Sequence, residues 1–319
     1  MNRERLPADC VLAANRIGPH IRETPLDYSP YLSEITGANV YLKLENLQFT
    51  GSFKLRGAFN KVLSLTPEQR QSGCVAASSG NHGAAIAYAM KKLGVVGVIF
   101  VPEQTSPTKV DAIKRAGGDV RFFGTDGLDT ETHAREYAAE NGMAYLSPYN
   151  DPDVIAGQGS CGVEIAKQLS PVDAVFIAVG GGGLISGVGS FLKSVNPEIE
   201  IVSCQPQASA VMTESVKAGK ILDMPSEKTL SDGTAGGIEA GAVTFEICAD
   251  IVDRYVTVSE DEIAHAMREF IDSHQLLPEG AAGVAIAGLL NVAADYAGKN
   301  VVVIVCGGNV SRDTLRKII

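Results

Sequence analysis

Short β-branched runs alternate with stretches of helical periodicity along most of the chain. Segments 74–77, 95–101 and 120–123 read as strands, and 81–93, 107–116 and 128–141 as the helices between them. A second series follows, with strands near 174–179, 199–204 and 301–305 and helices at 184–193, 260–273 and 280–296. Such alternation predicts parallel sheets covered on both faces by helices. Two series in 319 residues predict an α/β fold of two lobes, with parallel-rich sheets flanked by helices and a cleft between the lobes. Ligands of open parallel sheets sit beyond the carboxyl ends of strands, and the glycine-rich turns of this chain fall there.

Composition narrows the class. With 45% hydrophobic and 20% charged residues the chain can bury a substantial core. The excess of 37 acidic over 27 basic residues, a formal charge of −10, and the lack of a Lys/Arg block argue against nucleic acid as a partner. The uncharged stretch 174–192 approaches membrane-spanning length, yet glycines at 180–183, 187 and 189 make it a strand, a turn and a helix in water. No membrane segment is expected. The N-terminus carries charges and no apolar signal run, and the six cysteines form no C-x-x-C pair, so a reduced cytoplasmic setting is expected. No repeat or low-complexity tract is present.

Four segments carry candidate chemistry. In Gly51-Ser52-Phe53-Lys54-Leu55-Arg56-Gly57-Ala58, a lysine sits among turn-forming residues. Burial would lower its pKa and free the amine for imine formation, although most lysines are solvated and this segment alone proves little. Ser78-Ser79-Gly80-Asn81-His82-Gly83 follows a strand and opens a helix, where hydroxyls and free N–H groups suit a carboxylate. An N-cap explains one of its serines, and a lone histidine is more often structural. Gly180, Gly181, Gly182 and Gly183, followed by Leu184, occupy the same kind of position and let backbone amides converge on a phosphate. Neither the G-x-G-x-x-G nor the G-x-x-x-x-G-K-[ST] pattern is met. Cys306-Gly307-Gly308-Asn309 ends the last strand and can present one small polar side chain, with a buried structural cysteine as the ordinary alternative.

In this order and spacing the four segments resemble the fold type II pyridoxal-phosphate enzymes (tryptophan synthase β-like), in the serine/threonine dehydratase and serine racemase branch. The resemblance runs from Thr24-Pro25-Leu26 and Lys43-Leu44-Glu45 to the terminal C-G-G-N. It implies pyridoxal 5′-phosphate carried on Lys54, which also takes the substrate α-proton. It further implies a phosphate cradle of Gly180 to Gly183 with Leu184, Phe53 packed beside the cofactor, and Asn81 against the ring hydroxyl. Ser78, Ser79, Asn81 and His82 would line the substrate site, Ser79 at the position that supplies a second acid/base in racemases. Residues 1–72 and 150–319 would form the large lobe and 73–149 the small one, in a homo-oligomer expected to be a dimer.

The chain departs from that pattern at two places. Cys306 stands where the branch usually has serine or threonine against the ring nitrogen; a thiol donates weakly, so a neutral ring nitrogen is expected. Gln205 and Val211 replace the carboxylates that hold a divalent cation in the racemases, so no metal is expected. The chain ends soon after Asn309, and feedback by isoleucine is not expected. The implied activity is β-elimination from a small β-hydroxy amino acid such as L-serine or L-threonine, giving a 2-keto acid and ammonia. The alternatives are a 3-hydroxyaspartate dehydratase or serine racemase with the same motifs, a threonine-rich sulfur-transfer relative, and a non-catalytic nucleotide-binding module.

Overall fold

The structure is a computed structural model that describes residues 3–319. Its strands are β1 (Leu26–Tyr28), β2 (Asn39–Lys43), β3 (Cys74–Ala77), β4 (Gly97–Val101), β5 (Asp119–Phe122), β6 (Ala144–Tyr145), β7 (Ala174–Ala178), β8 (Glu200–Pro206), β9 (Arg254–Val258) and β10 (Asn300–Ile304). One sheet has the order β1-β2-β10-β7-β8-β9 and the other β5-β4-β3-β6, and every neighbouring pair is parallel except β1 with β2. The two-lobed α/β architecture is thus as the alternation requires. At the centre of the larger sheet the run Val301-Val302-Val303-Ile304 is fully buried, as a strand covered on both faces must be.

Element ends move where tertiary packing outweighs local pattern. The helix expected over 280–296 stops at Asn291, because Val292 leaves helical backbone with φ −122 and a short 3₁₀ turn, Ala293–Tyr296, follows. That break places the buried Tyr296 ring edge-on to Phe176, centroids 5.1 Å apart, in the core. Segment 51–58, rich in turn formers, is a turn only up to Phe53; Lys54 opens the helix Lys54–Ser64. No helix among the described residues is long and apolar enough to cross a membrane.

Two contacts fix the helix that begins at Lys54. It crosses the helix Pro152–Gln168 where glycines meet: a Cβ on Gly157 would stand 2.7 Å from Cα of Gly57 and 2.8 Å from the Arg56 carbonyl. Two residues beyond Lys54, the fully buried Arg56 enters a closed ionic cluster. Its guanidinium lies 2.7 Å from oxygens of both Glu45 and Glu164, and Lys43 Nζ completes the set 2.6 Å from Glu164 and 2.7 Å from the Thr24 carbonyl. Two cations against two anions, each with several partners, offset the desolvation that a lone buried charge would suffer. Burial alone would raise the Glu45 carboxyl, but Arg56 and Lys43 hold it below the usual range.

Candidate active site

Lys54 is delivered to the cleft by a join between two loops. Phe53 N–H donates to the Cys306 carbonyl at 3.0 Å, Gly308 N–H donates to the Gly51 carbonyl at 2.9 Å, and Ser52 pairs with Gly307 in a single antiparallel bridge. The C-G-G-N turn is therefore laid directly along the loop that carries Lys54. The lysine Nζ donates to the Pro148 carbonyl at 2.8 Å and sits 5.3 Å from the centre of the Phe53 ring. Burial lowers its pKa to about 8, against the pull of Glu279 and Cys306 toward the charged form. An amine so held is still mostly charged at pH 7, but its neutral fraction is far larger than that of an ordinary lysine.

The cleft has a volume of about 1580 Å³ and brings together Lys54, Ser78, Ser79, Asn81, the four glycines and Cys306. It exceeds what one small amino acid fills. After β7, Gly182 adopts φ +85, which favours glycine, and begins the helix Gly183–Val195. A side chain at Gly181 would run into the Tyr149 ring, and a Cβ on Gly180 would stand 3.0 Å from the Thr234 backbone. The N–H groups of the first turn have no partner within the helix, so this turn is a bare cradle for an anion. Leu184 is buried beneath it.

The second turn lies at the end of β3, where the helix Asn81–Leu93 starts. Ser78 Oγ accepts from Gly80 N–H at 3.2 Å and so shapes the turn, whereas the Ser79 hydroxyl makes no hydrogen bond to any described residue. His82 also lines the cleft, with its ring tied to backbone. It is buried, its Nε2 is bonded to the Leu146 carbonyl at 2.9 Å, and burial with the nearby Lys54 lowers its pKa to about 3. A neutral ring donating from Nε2 has only a lone pair at Nδ1, so what His82 offers a carboxylate is its backbone N–H.

Sequence reasoning missed Glu279, Tyr149 and the use of Asn309. Glu279 precedes the helix Gly280–Asn291 but does not cap it; its side chain turns into the cleft and is only 6% exposed. Asn81 Nδ2 lies 3.0 and 2.8 Å from its two oxygens, and the Cys306 thiol lies 3.8 Å from Oε1. Burial raises its pKa to about 7. The only hint in the sequence is a single carboxylate before a Gly/Ala-rich helix, which capping would explain equally well. Tyr149 packs its ring under the glycine turn and accepts from Glu239 N–H at 2.9 Å, an arrangement that no local pattern announces.

These residues fit a phosphate-bearing aldehyde. The cleft holds an amine free of any carboxylate partner and a cradle that any Cβ would fill. Three buried hydroxyls near these segments also lack partners among the described residues: Thr50 Oγ1 on the cleft wall, Ser52 Oγ next to Phe53 and Lys54, and Thr244 Oγ1 beside Gly182. Fold and site together define a two-lobed α/β enzyme with a buried lysine amine in its cleft. The chain belongs to the pyridoxal-phosphate dependent enzyme family, whose model matches residues 17–307. It is 42% identical over 298 residues to the catabolic L-threonine dehydratase TdcB of Staphylococcus aureus (strain N315), covering 92% of this chain and 86% of that protein. Among solved structures it resembles the processed form of threonine deaminase isoform 2 from Solanum lycopersicum, with a TM-score of 0.95, 36% identity, and coverage of 99% of this chain and 92% of that one. It also resembles serine racemase from Dictyostelium discoideum, with a TM-score of 0.90, 34% identity, and coverage of 96% and 98%. Membership in an enzyme family removes the non-catalytic nucleotide-binding alternative.

Proposed function

We propose that the chain is an ammonia-lyase that converts L-threonine and L-serine to the 2-keto acid and ammonia. The observation that carries this reading is the buried amine of Lys54, its pKa lowered to about 8, in one cleft with two N–H-rich turns. Pyridoxal phosphate, when bound, supplies a sink for the electron pair left at the substrate α-carbon. Gly180 to Gly183 and the helix N-terminus behind them would hold its phosphate, Phe53 and Leu184 would pack beside it, and Asn81 would offer it a hydrogen bond. The N–H groups of the 78–83 turn, with Ser78, hold the substrate carboxylate. Lys54 removes the α-proton as general base, for which a pKa near the working pH is the favourable value.

Cys306 supports elimination over racemisation. It stands at the family's ring-nitrogen position, and its one hydrogen is directed at Glu279, which leaves none for a ring. Such a ring stabilises negative charge at the α-carbon less well, so prompt loss of the β-hydroxyl outpaces slow reprotonation. The Ser79 hydroxyl, unbonded within the protein, supports a secondary racemase activity. As for assembly, the reading includes a homodimer, to be tested by light scattering.

A substrate with a second carboxylate would need a cationic partner. Arg56 is sealed in its buried cluster, Lys109 pairs with Asp232 at 2.9 Å, and the Thr130 hydroxyl already serves the Phe123 and Asp126 carbonyls. The exposed Arg115, Lys228 and Lys317 on the cleft wall are the remaining Lys/Arg cations there among the described residues. The test is kcat/KM for L-serine, D-serine, L-threonine and the two 3-hydroxyaspartate diastereomers. L-threonine and L-serine should lead; a hundredfold preference for a hydroxyaspartate, roughly 2.7 kcal/mol, would overturn the choice.

A further inference from the structure

Asn309 lies outside the contacts used above, yet it joins three parts of the cleft. Its Nδ2 lies 2.8 Å from the Thr50 carbonyl and 2.8 Å from Asn81 Oδ1. The side chain rests on bare backbone, since a Cβ on Gly51, itself at φ +74, would stand 2.7 Å from Asn309 Oδ1. Asn81 belongs to the small-sheet side of the cleft, at the start of the helix after β3, whereas Thr50 and Glu279 belong to segments beside the large sheet.

The polarity of this chain of bonds is set from the Thr50 end, by a group that cannot change role. The Thr50 carbonyl only accepts, so the nitrogen of the Asn309 amide must face it. That nitrogen also faces Asn81, so Asn81 must present its oxygen there. Its nitrogen is then turned to the two oxygens of Glu279, which accept from it. Because the two oxygens of one carboxylate lie close together, a single Asn81 N–H points between them, and the other remains free for a ligand.

We propose that Asn309 is a positioning residue: by giving both amide hydrogens to the Thr50 carbonyl and Asn81 Oδ1, it fixes which end of the Asn81 amide meets Glu279 and which N–H meets the ligand. The proposal rests on the reading of Asn81 as a cofactor-facing residue. It predicts a reversal. Asn309→Asp turns the donor at Asn81 into an acceptor, so the Asn81 amide flips and sets its oxygen against Glu279, oxygen to oxygen. Glu279→Gln then supplies the missing donor, and the side-chain bonds between Asn309, Asn81 and Glu279 run the other way, while the Thr50 carbonyl loses its partner in both N309D variants.

The experiment compares wild type, N309D, E279Q, N309D/E279Q, N309A, N309A/E279Q and N81A. The readouts are the visible absorption band of the protein loaded with pyridoxal phosphate, kcat and KM for L-threonine, and the thermal midpoint of the apoprotein. N309D should shift the band and lower kcat about tenfold or more, the scale of a misplaced binding group. Adding E279Q to N309D should restore both at least severalfold, short of the E279Q single variant by what the lost Thr50 bond contributes, while adding it to N309A should restore nothing, since alanine offers no acceptor. If N309D fails to fold, as the apoprotein midpoint would show, the N309A pair decides: rescue of N309A by E279Q contradicts the proposal, and loss without rescue supports it. An N309D defect that E279Q leaves equal or worse overturns the proposal. An unaltered N81A overturns the assignment of Asn81, and the proposal with it; a damaged N81A beside an unrescued N309D overturns the proposal alone.

Discussion

Gly57 and Gly157 touch where the lysine-bearing helix crosses its neighbour, with room for no side-chain atom between them. In Gly157→Ala the new Cβ would lie 2.7 Å from Cα of Gly57 and 2.8 Å from both the Arg56 carbonyl and Asn60 Cβ, so one helix must move. Alanine gains about 1 kcal/mol of helix propensity, but overpacking costs roughly 1–3 kcal/mol. Urea unfolding should show a net loss, and kcat should fall more than KM changes, because Lys54 shifts with the helix. A variant as stable and as active as wild type would show that the crossing relaxes freely.

The amine of Lys54 sets a pH dependence of known sign. Folding lowers its pKa from an ordinary 10.5 to about 8, so the charged form is the disfavoured one. The linked stability of the apoprotein is present above pH 10.5 and is lost as pH falls through about 8. The neutral amine is also the nucleophile toward an aldehyde, so uptake of pyridoxal phosphate should quicken about tenfold per pH unit below 8 and level off above it. Stopped-flow absorbance measures this, with Lys54→Ala as a control that folds but shows no covalent uptake. A rate independent of pH between 6 and 9 would contradict the assignment.

Ser79→Ala should separate two activities. Elimination from L-substrates relies on Lys54 and should persist in part, whereas use of D-serine and any racemisation should disappear. Chiral chromatography of products gives the ratio. Equal loss of both would make Ser79 chiefly a substrate-binding group.

Chelators should leave activity nearly unchanged. The Gln205 side chain is buried and already committed, its oxygen accepting from Thr213 N–H and Oγ1 at 2.7 Å each and its nitrogen donating to the Val179 carbonyl at 3.1 Å. Such a group offers little to a hard cation. Loss of activity with EDTA that Mg²⁺ or Ca²⁺ restores would show a metal site elsewhere.

The glycine turns and the strands before them were legible because their signals are local: β-branched runs for buried parallel strands, and glycines where backbone must approach a ligand. The helix at Lys54 was not, because Gly57 mimics a turn former while serving a helix crossing more than a hundred residues distant in sequence. Glu279 was hidden for a related reason. Its neighbours in sequence suggest a cap, and its partners, Asn81 and Cys306, come together only in the folded chain. His82 shows the converse, a motif residue on the cleft wall whose ring is bonded to the Leu146 carbonyl, a partner no local pattern announces.

The strand order of the larger sheet bears on how the protein is made. The four-stranded sheet is drawn from one contiguous stretch and has all its strands once residue 145 has been synthesised, so it can fold while translation continues. The six-stranded sheet places β10 between β2 and β7, and until residues 300–304 leave the ribosome those two strands face each other across a gap with their edges unpaired. The nascent polypeptide therefore carries Lys54 through most of its synthesis without the Cys306 turn that shelters it, and competence to capture cofactor arrives abruptly with the final strand.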